Sequence, residues 1–381
     1  MPTLLKWLRP REGAMTRLLG QFVRAESPSL DKGAVDSFGR IVAAEWRRRG
    51  ARVTFLRQRE RGDHIRVDWN PLGKRSKGQI LVLGHLDTVY EPGTLARMPF
   101  RVSRGRAYGP GTFDMKGGLV IALFALDALV ATRCAPLRRV VFLWTSDEEI
   151  GSGTSRARIE SEARRSDAVL VLEPGSGPDG RVKTGRKGVG EVEIMATGRA
   201  AHAGLHPEDG INAIHEIALQ IGRFSGWNQP SCGITVNAGV IEGGTRTNVI
   251  PEKARVLVDV RAERTEDMRS LELKFRALRP ALRGAKLQIR GGFNRPPMER
   301  KMSAPLYEKA RALAEEMGLA LGEAYVGGGS DGNFTAALGV PTLDGLGAVG
   351  EGAHSPNENV LNRALPERAA LLAGLLNSPL L

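Results

Sequence analysis

The chain has only two cysteines in 381 residues, Cys134 and Cys232, far apart in sequence. Two cannot build a disulfide framework, which excludes a small bridged secreted fold. They read as small buried hydrophobes, and their scarcity suits a reducing compartment. Long apolar runs are missing too. No stretch approaches the roughly 18–20 apolar residues that cross a bilayer. Residues 1–20 are interrupted by Lys6, Arg9, Pro10, Arg11 and Glu12, which leaves no apolar core for a signal peptide. A cytoplasmic protein with no membrane partner is expected. Lysine is scarce as well, supplying 12 of the 55 basic residues, with Arg the rest. The net charge of +13 raises nucleic acid or anionic substrates as partners. Yet the arginines are scattered, as at Arg47-Arg48-Arg49, Arg138-Arg139 and Arg164-Arg165, with no block of like charge to form a binding arm. The excess is read as solvated surface, and no nucleic-acid partner is expected.

What is present is an alternation of two periodicities. Apolar residues recur at helical spacing over 15–23, 33–46 and 116–131. Residues 53–56, 65–69, 79–84, 139–144 and 168–172 read as strands, the last three being nearly continuous apolar runs. Such runs separated by helices predict an α/β layer whose sheet is covered on both faces. The texture changes after about 188, with a half-exposed strand at 189–195, a helix at 211–224 and strands at 232–241 and 254–261. A helix at 266–278 and a strand at 287–290 follow, and this β-α-β-β-α-β order is the ferredoxin-like arrangement. A helix at 304–317 and a strand at 340–343 then resume the first texture. The expected organisation is an α/β domain formed by 1–187 and 296–381, with an α+β unit, 188–295, inserted in it.

The chemically informative residues follow the apolar strands. The first leads into His85-Leu86-Asp87, the second into Asp147-Glu148-Glu149 and the third into Glu173-Pro174. Ligands bind outside the carboxyl ends of strands in α/β sheets, so these groups should converge. Asp114 sits where a Gly-rich loop enters a helix, and His354 lies on a loop near the C-terminus. Singly, each has an ordinary explanation: a structural histidine, a solvated acidic turn, a helix N-cap. Together they would be costly to bury unless neutralised in common. A divalent metal cluster does that, and imidazole mixed with carboxylate suits zinc.

These residues carry a resemblance. His85-x-Asp87, Asp114-Met115-Lys116-Gly117-Gly118, Asp147-Glu148-Glu149-x-Gly151-Ser152, Glu173-Pro174, Ala201-His202-Ala203-Gly204, the Gly-rich segment 327–331 and His354-Ser355 occur in order. They resemble the motifs of the co-catalytic di-zinc exopeptidases of metallopeptidase family 20, relatives of succinyl-diaminopimelate desuccinylase, acetylornithine deacetylase and aminoacylase. Asp87-Thr88-Val89-Tyr90 and Arg186-Lys187-Gly188 look most like the bacterial glutamate carboxypeptidases.

The resemblance implies a zinc-exopeptidase catalytic domain, with a central mixed sheet covered by helices, and an inserted ferredoxin-like lid or dimerisation domain. It implies two Zn2+ per subunit, replaceable by Co2+ or Mn2+, with Asp114 bridging them. His85 and Glu173 would complete one set of ligands, Glu149 and His354 the other. Asp87 would accept from His85 and fix its tautomer. Glu148 would be the general base. His202 would reach the partner subunit's site and steady the oxyanion. Asn248, Arg295, Gly329 and Ser330 would contact the substrate, with Arg295 suited to a planar carboxylate. His64, His206 and His215 match no ligand motif and are read as structural.

The expected activity is hydrolysis of an amide next to a free carboxylate, in a small peptide or an acyl amino acid, by a homodimer joined through the inserted domain. The main expectation is a glutamate carboxypeptidase-type exopeptidase, and the alternative is an N-acyl-amino-acid deacylase with the same metal centre.

Overall fold

The computed structural model describes residues 2–71, 76, 78–136 and 138–378. The chain forms two compact units. One comprises Met1–Gly185, Glu299–Val326 and Ser330–Leu381, and the other Arg186–Met298 with Gly327–Gly329.

The first unit is organised by a six-stranded sheet, ordered Arg52–Leu56, His64–Trp69, Arg139–Thr145, Gln79–His85, Ala168–Val171 and Thr342–Leu343. The first two strands run antiparallel to their neighbours, and the other four are mutually parallel, so the sheet is mixed. Strict alternation sends the apolar runs to both faces. Ile80, Val82, Val140, Phe142, Trp144 and Leu170 enter one core cluster, while Leu81, Leu83, Val141, Leu143, Val169 and Val171 enter another. Helices Glu12–Val23, Lys32–Arg48 and Gly117–Ala131 contribute to the first cluster.

Helix Ala364–Asn377 packs on Gly117–Ala131 and went unpredicted. It is buried along most of its length, so its sequence carries no clear apolar stripe. A small antiparallel sheet of Arg101–Ser103, Arg106–Tyr108, Asn359–Leu361 and Gly350–Glu351 also went unpredicted. Strands of two or three residues are too short to show a period. This sheet holds the turn 352–358, on which His354 takes φ 61°.

In the second unit, strands Gly188–Thr197, Thr235–Gly243, Lys253–Ala262 and Lys286–Arg295 form an antiparallel sheet. Helices Ala213–Ser225 and Thr265–Arg276 fall in the chain order expected of a ferredoxin-like unit. Val192, Ile194, Val256, Val258 and Val260 meet Ile217, Phe224, Leu271 and Phe275 in a core of their own. Thr235–Gly243 is an edge strand, paired on one side within its sheet. Its Val240 and Ile241 are 45% and 56% exposed.

Two expectations are corrected. Cys134 is only partly buried and Cys232 is exposed, because Cys232 ends a surface turn, Pro230–Cys232, instead of entering a strand. Residues 112–116 form an irregular turn, with Asp114 at φ −114° and ψ 97°, and the helix begins at Gly117. Among the described residues no helix is long and apolar enough to cross a membrane.

Candidate metal centre

Parallel pairing aligns the carboxyl ends of three strands. His85 lies opposite Thr145, and Leu83 opposite Val171, so the segments that follow leave the sheet along one edge. His85 is 1% exposed, and its Nε2 lies 3.2 Å from Asp114 Oδ1 and 3.4 Å from Glu173 Oε1. His354 Nε2 lies 3.4 Å from Asp114 Oδ2 and 3.2 Å from Glu149 Oε2. Asp114 therefore offers one oxygen to each side. The donor atoms of His85, Asp114 and Glu173 lie within 4.8 Å of one another, as do those of Asp114, Glu149 and His354.

The protonation logic of this cluster calls for positive charge between the carboxylates. His85 Nδ1 lies 2.9 Å from the Asp87 carbonyl oxygen, which can only accept, so Nδ1 carries the proton. Nε2 faces Asp114 and Glu173, where it can donate to a carboxylate when protonated or turn a lone pair to a metal ion when not. Burial opposes a charged His85, yet the carboxylates of Asp114, Asp87 and Glu173 outweigh it and hold the imidazole well above its ordinary value. Hydrogen bonds to Asp114 and Glu149 push His354 up to about 10. Desolvation raises Glu149 to about 7, against the pull of His354, and its Oε1 has no hydrogen-bond partner among the described residues. Burial disfavours the charged Asp114, but the two histidines hold it well below the usual carboxylate range. Imidazole and carboxylate donors facing one another across such gaps fit divalent cations, zinc among them.

Asp87 is fully buried, and two of its oxygens lie close to His85 Nδ1. Its main-chain carbonyl accepts from His85 Nδ1 at 2.9 Å, and its carboxylate lies 3.5 Å from the same nitrogen. That carboxylate also accepts from Ser29 Oγ at 2.7 Å and from the backbone N–H groups of Glu148 and Glu149 at 3.3 Å each. One residue thus orients a histidine and anchors the acidic turn. The turn closes through left-handed Gly151 at φ 94°. His64 is structural, bonded at Nδ1 to Ser146 Oγ and at Nε2 to Thr154 Oγ1.

The expected substrate contacts divide between the units. In the second unit, exposed His202 accepts the N–H groups of Gly204 and Leu205 at Nδ1, which leaves its proton on Nε2 as a donor. Asn248 adjoins it, its carbonyl accepting from Ala203. Arg295 ends the strand Lys286–Arg295, and its Cδ would lie 2.9 Å from a Cβ placed on Gly329, so a side chain there would displace the arginine. Ser330 belongs to the first unit, where it is fully buried and its hydroxyl donates to Asp344 at 2.6 Å. This bond takes up the hydroxyl that was expected to meet substrate. Exposed His206, with Glu208 and Asp209, forms a third potential ligand group that no motif indicated.

Two cavities flank the centre within the first unit. One, of about 510 Å³, is lined by His354, Tyr90, Tyr108, Arg97 and Arg101. The other, of about 470 Å³, is lined by Asp114, Pro174, Arg106 and Lys183. Sequence reasoning missed Ser29 and Glu358 and the supporting role of Tyr90; all three lie on loops without periodicity.

Two ligand groups sharing one carboxylate, at the carboxyl edge of a mixed α/β sheet, define the class as a metal-dependent hydrolase. Residues 81–378 match the family described as Peptidase family M20/M25/M40, and the chain belongs to that family. It is therefore a metallopeptidase or amidohydrolase. Carboxypeptidase G2 of Pseudomonas sp. (strain RS-16) is 33% identical over 373 residues, covering 95% of this chain and 88% of that protein. The succinyl-diaminopimelate desuccinylase of Stenotrophomonas maltophilia is 30% identical over 322 residues, covering 78% and 84%. In fold, the chain is similar to aminopeptidase PepT from Bacillus cereus, with a TM-score of 0.78 at 22% identity, covering 96% and 98%.

Proposed function

We propose that the protein is a cytoplasmic exopeptidase of the glutamate carboxypeptidase type, holding two Zn2+ ions and cleaving an amide bond next to a free carboxylate. The observation that carries this reading is Asp114, whose two carboxylate oxygens face two separate sets of ligands. His85, Asp114 and Glu173 would hold one ion, and Asp114, Glu149 and His354 the other. When bound, such ions polarise an amide carbonyl and make water nucleophilic at neutral pH. Glu148 takes the proton of the attacking water and passes it to the leaving nitrogen. Asp87 keeps that base and the ligand Glu149 at fixed places on one turn. His202 offers Nε2–H to the developing oxyanion. Asn248 and Arg295 bind the substrate's carboxylate, and the arginines and Lys183 of the flanking cavities favour an anionic substrate.

The substrate preference is supported by the likeness to carboxypeptidase G2 over nearly the whole chain. The likeness to a desuccinylase keeps a second reading in play, an N-acyl-amino-acid deacylase with the same ligands. Zinc-loaded enzyme should hydrolyse folate polyglutamates or α- and γ-glutamyl dipeptides faster than N-acetyl or N-succinyl amino acids. Turnover of the acyl amino acids alone would establish the deacylase instead. Arg295→Ala should raise KM for the preferred carboxylate substrate by about 10- to 100-fold, the scale of one lost charge-assisted pair. An unchanged KM would remove Arg295 from the substrate site.

The second unit serves as a dimerisation domain in this reading. An edge strand that exposes backbone groups beside Val240 and Ile241 can pair with its equivalent in a second copy. Light scattering should show a dimer, and Val240→Lys combined with Ile241→Lys should shift it to a monomer with reduced turnover. A fully active monomer would refute both the interface and a cross-subunit role for His202.

A further inference from the structure

Glu358 is fully buried, four residues after His354, and its carboxylate is surrounded by neutral donors. Oε1 accepts from the backbone N–H groups of Phe113 at 2.7 Å and Asp114 at 2.8 Å. Oε2 accepts from the backbone N–H of Gly111 at 3.0 Å and lies 2.5 Å from the Tyr90 hydroxyl. The main chain of the same residue extends the connection. Its carbonyl accepts from Gly109, and its N–H donates to Ser355, whose carbonyl also lies 3.0 Å from the Tyr90 hydroxyl. One side chain thereby joins the loop that presents Asp114, the turn that presents His354 and the segment that follows His85 and Asp87.

We propose that Glu358 is a positioning residue that sets the place of Asp114 relative to His354, and so the affinity with which the second ligand set takes its metal ion. The inference rests on the two-ion reading above. Its physical basis is the need of residues 111–114 for acceptors. Asp114 and Met115 have non-helical torsions, so the N–H groups ahead of the helix Gly117–Ala131 lack the partners a regular turn would supply. Only an acceptor-only group can meet four converging donors. A glutamine would turn its NH2 against two of them, leaving buried N–H groups unsatisfied. Asp114 carries its own N–H in this arrangement, so a shift of the loop moves the shared ligand directly.

The test is titration of the metal-free protein with Co2+, following the visible d–d absorption, together with thermal unfolding in chelator. Wild type should bind two ions. Metal-free Glu358→Gln should unfold cooperatively but at a lower temperature than wild type, because of the unsatisfied N–H groups, and should bind its second Co2+ about 10- to 100-fold more weakly, with an altered band, as outer partners of metal ligands do. Glu358→Asp, which keeps an acceptor-only group, should recover part of the loss. Tyr90→Phe leaves the three backbone bonds in place and should weaken the second ion by a smaller factor. Two wild-type-like binding steps in Glu358→Gln would overturn the proposal. If Glu358→Gln does not fold, Tyr90→Phe decides: a weakened second ion supports the role, and unchanged binding overturns it. A wild type that binds fewer than two Co2+ would instead refute the two-ion reading itself.

Discussion

Replacement of Glu148 by Gln is expected to lower kcat by about 10²- to 10⁴-fold, the range a positioned general base supplies, while both metal ions stay bound. The expectation follows from the division of labour on a single turn. Glu149 points Oε2 at His354 and belongs to a ligand set, whereas Glu148 belongs to neither. Adjacent residues on the short turn Glu148–Ile150 can serve different partners because the backbone is pinned at both N–H groups by the Asp87 carboxylate. Glutamine keeps the volume and the turn but cannot take a proton. The check pairs steady-state kinetics with the metal content of the same preparation. Loss of an ion along with activity would make Glu148 a ligand, and retained activity would remove it from the chemistry.

Asp114→Ala should have the largest effect on the centre, releasing both ions and reducing turnover to background. Its two oxygens lie 3.2 Å from His85 Nε2 and 3.4 Å from His354 Nε2, and among the described residues no other side chain belongs to both groups. His354→Ala provides the contrast. It should release one ion, because His85, Asp114 and Glu173 remain as a complete group. Metal analysis after dialysis reads both results directly. If Asp114→Ala keeps one ion while His354→Ala loses two, the sharing is wrongly assigned.

The candidate ligand residues were legible because chemistry on an α/β sheet gathers where buried strands end. His85, Asp147 to Glu149 and Glu173 stand within a few positions of those ends. Their mutual distances were not legible, nor was the use of Asp87. Its type and place suggested a carboxylate beside His85, and the shorter contact to that imidazole comes from the backbone carbonyl of the same residue. Ser330 shows a similar limit, since a serine in a Gly-rich loop gives no sign of a buried Asp344 fourteen residues later. Glu358 lay outside any pattern, because a buried acceptor serving loop N–H groups has no sequence period, and Tyr90 was legible only as part of the Asp87-Thr88-Val89-Tyr90 resemblance, without its role. Helix Ala364–Asn377 escaped for the opposite reason, being covered along most of its surface and lacking a polar face to set off an apolar one. Part of the basic excess that first suggested nucleic acid, Arg97, Arg101 and Lys183, lines the two cavities.

The central claim is that one carboxylate, Asp114, joins two metal sites. Anomalous diffraction from crystals of the zinc-loaded protein tests it most directly. The account predicts two peaks, one among His85, Asp114 and Glu173 and the other among Asp114, Glu149 and His354. A single peak, or zinc held only by the exposed group His206, Glu208 and Asp209, would contradict it.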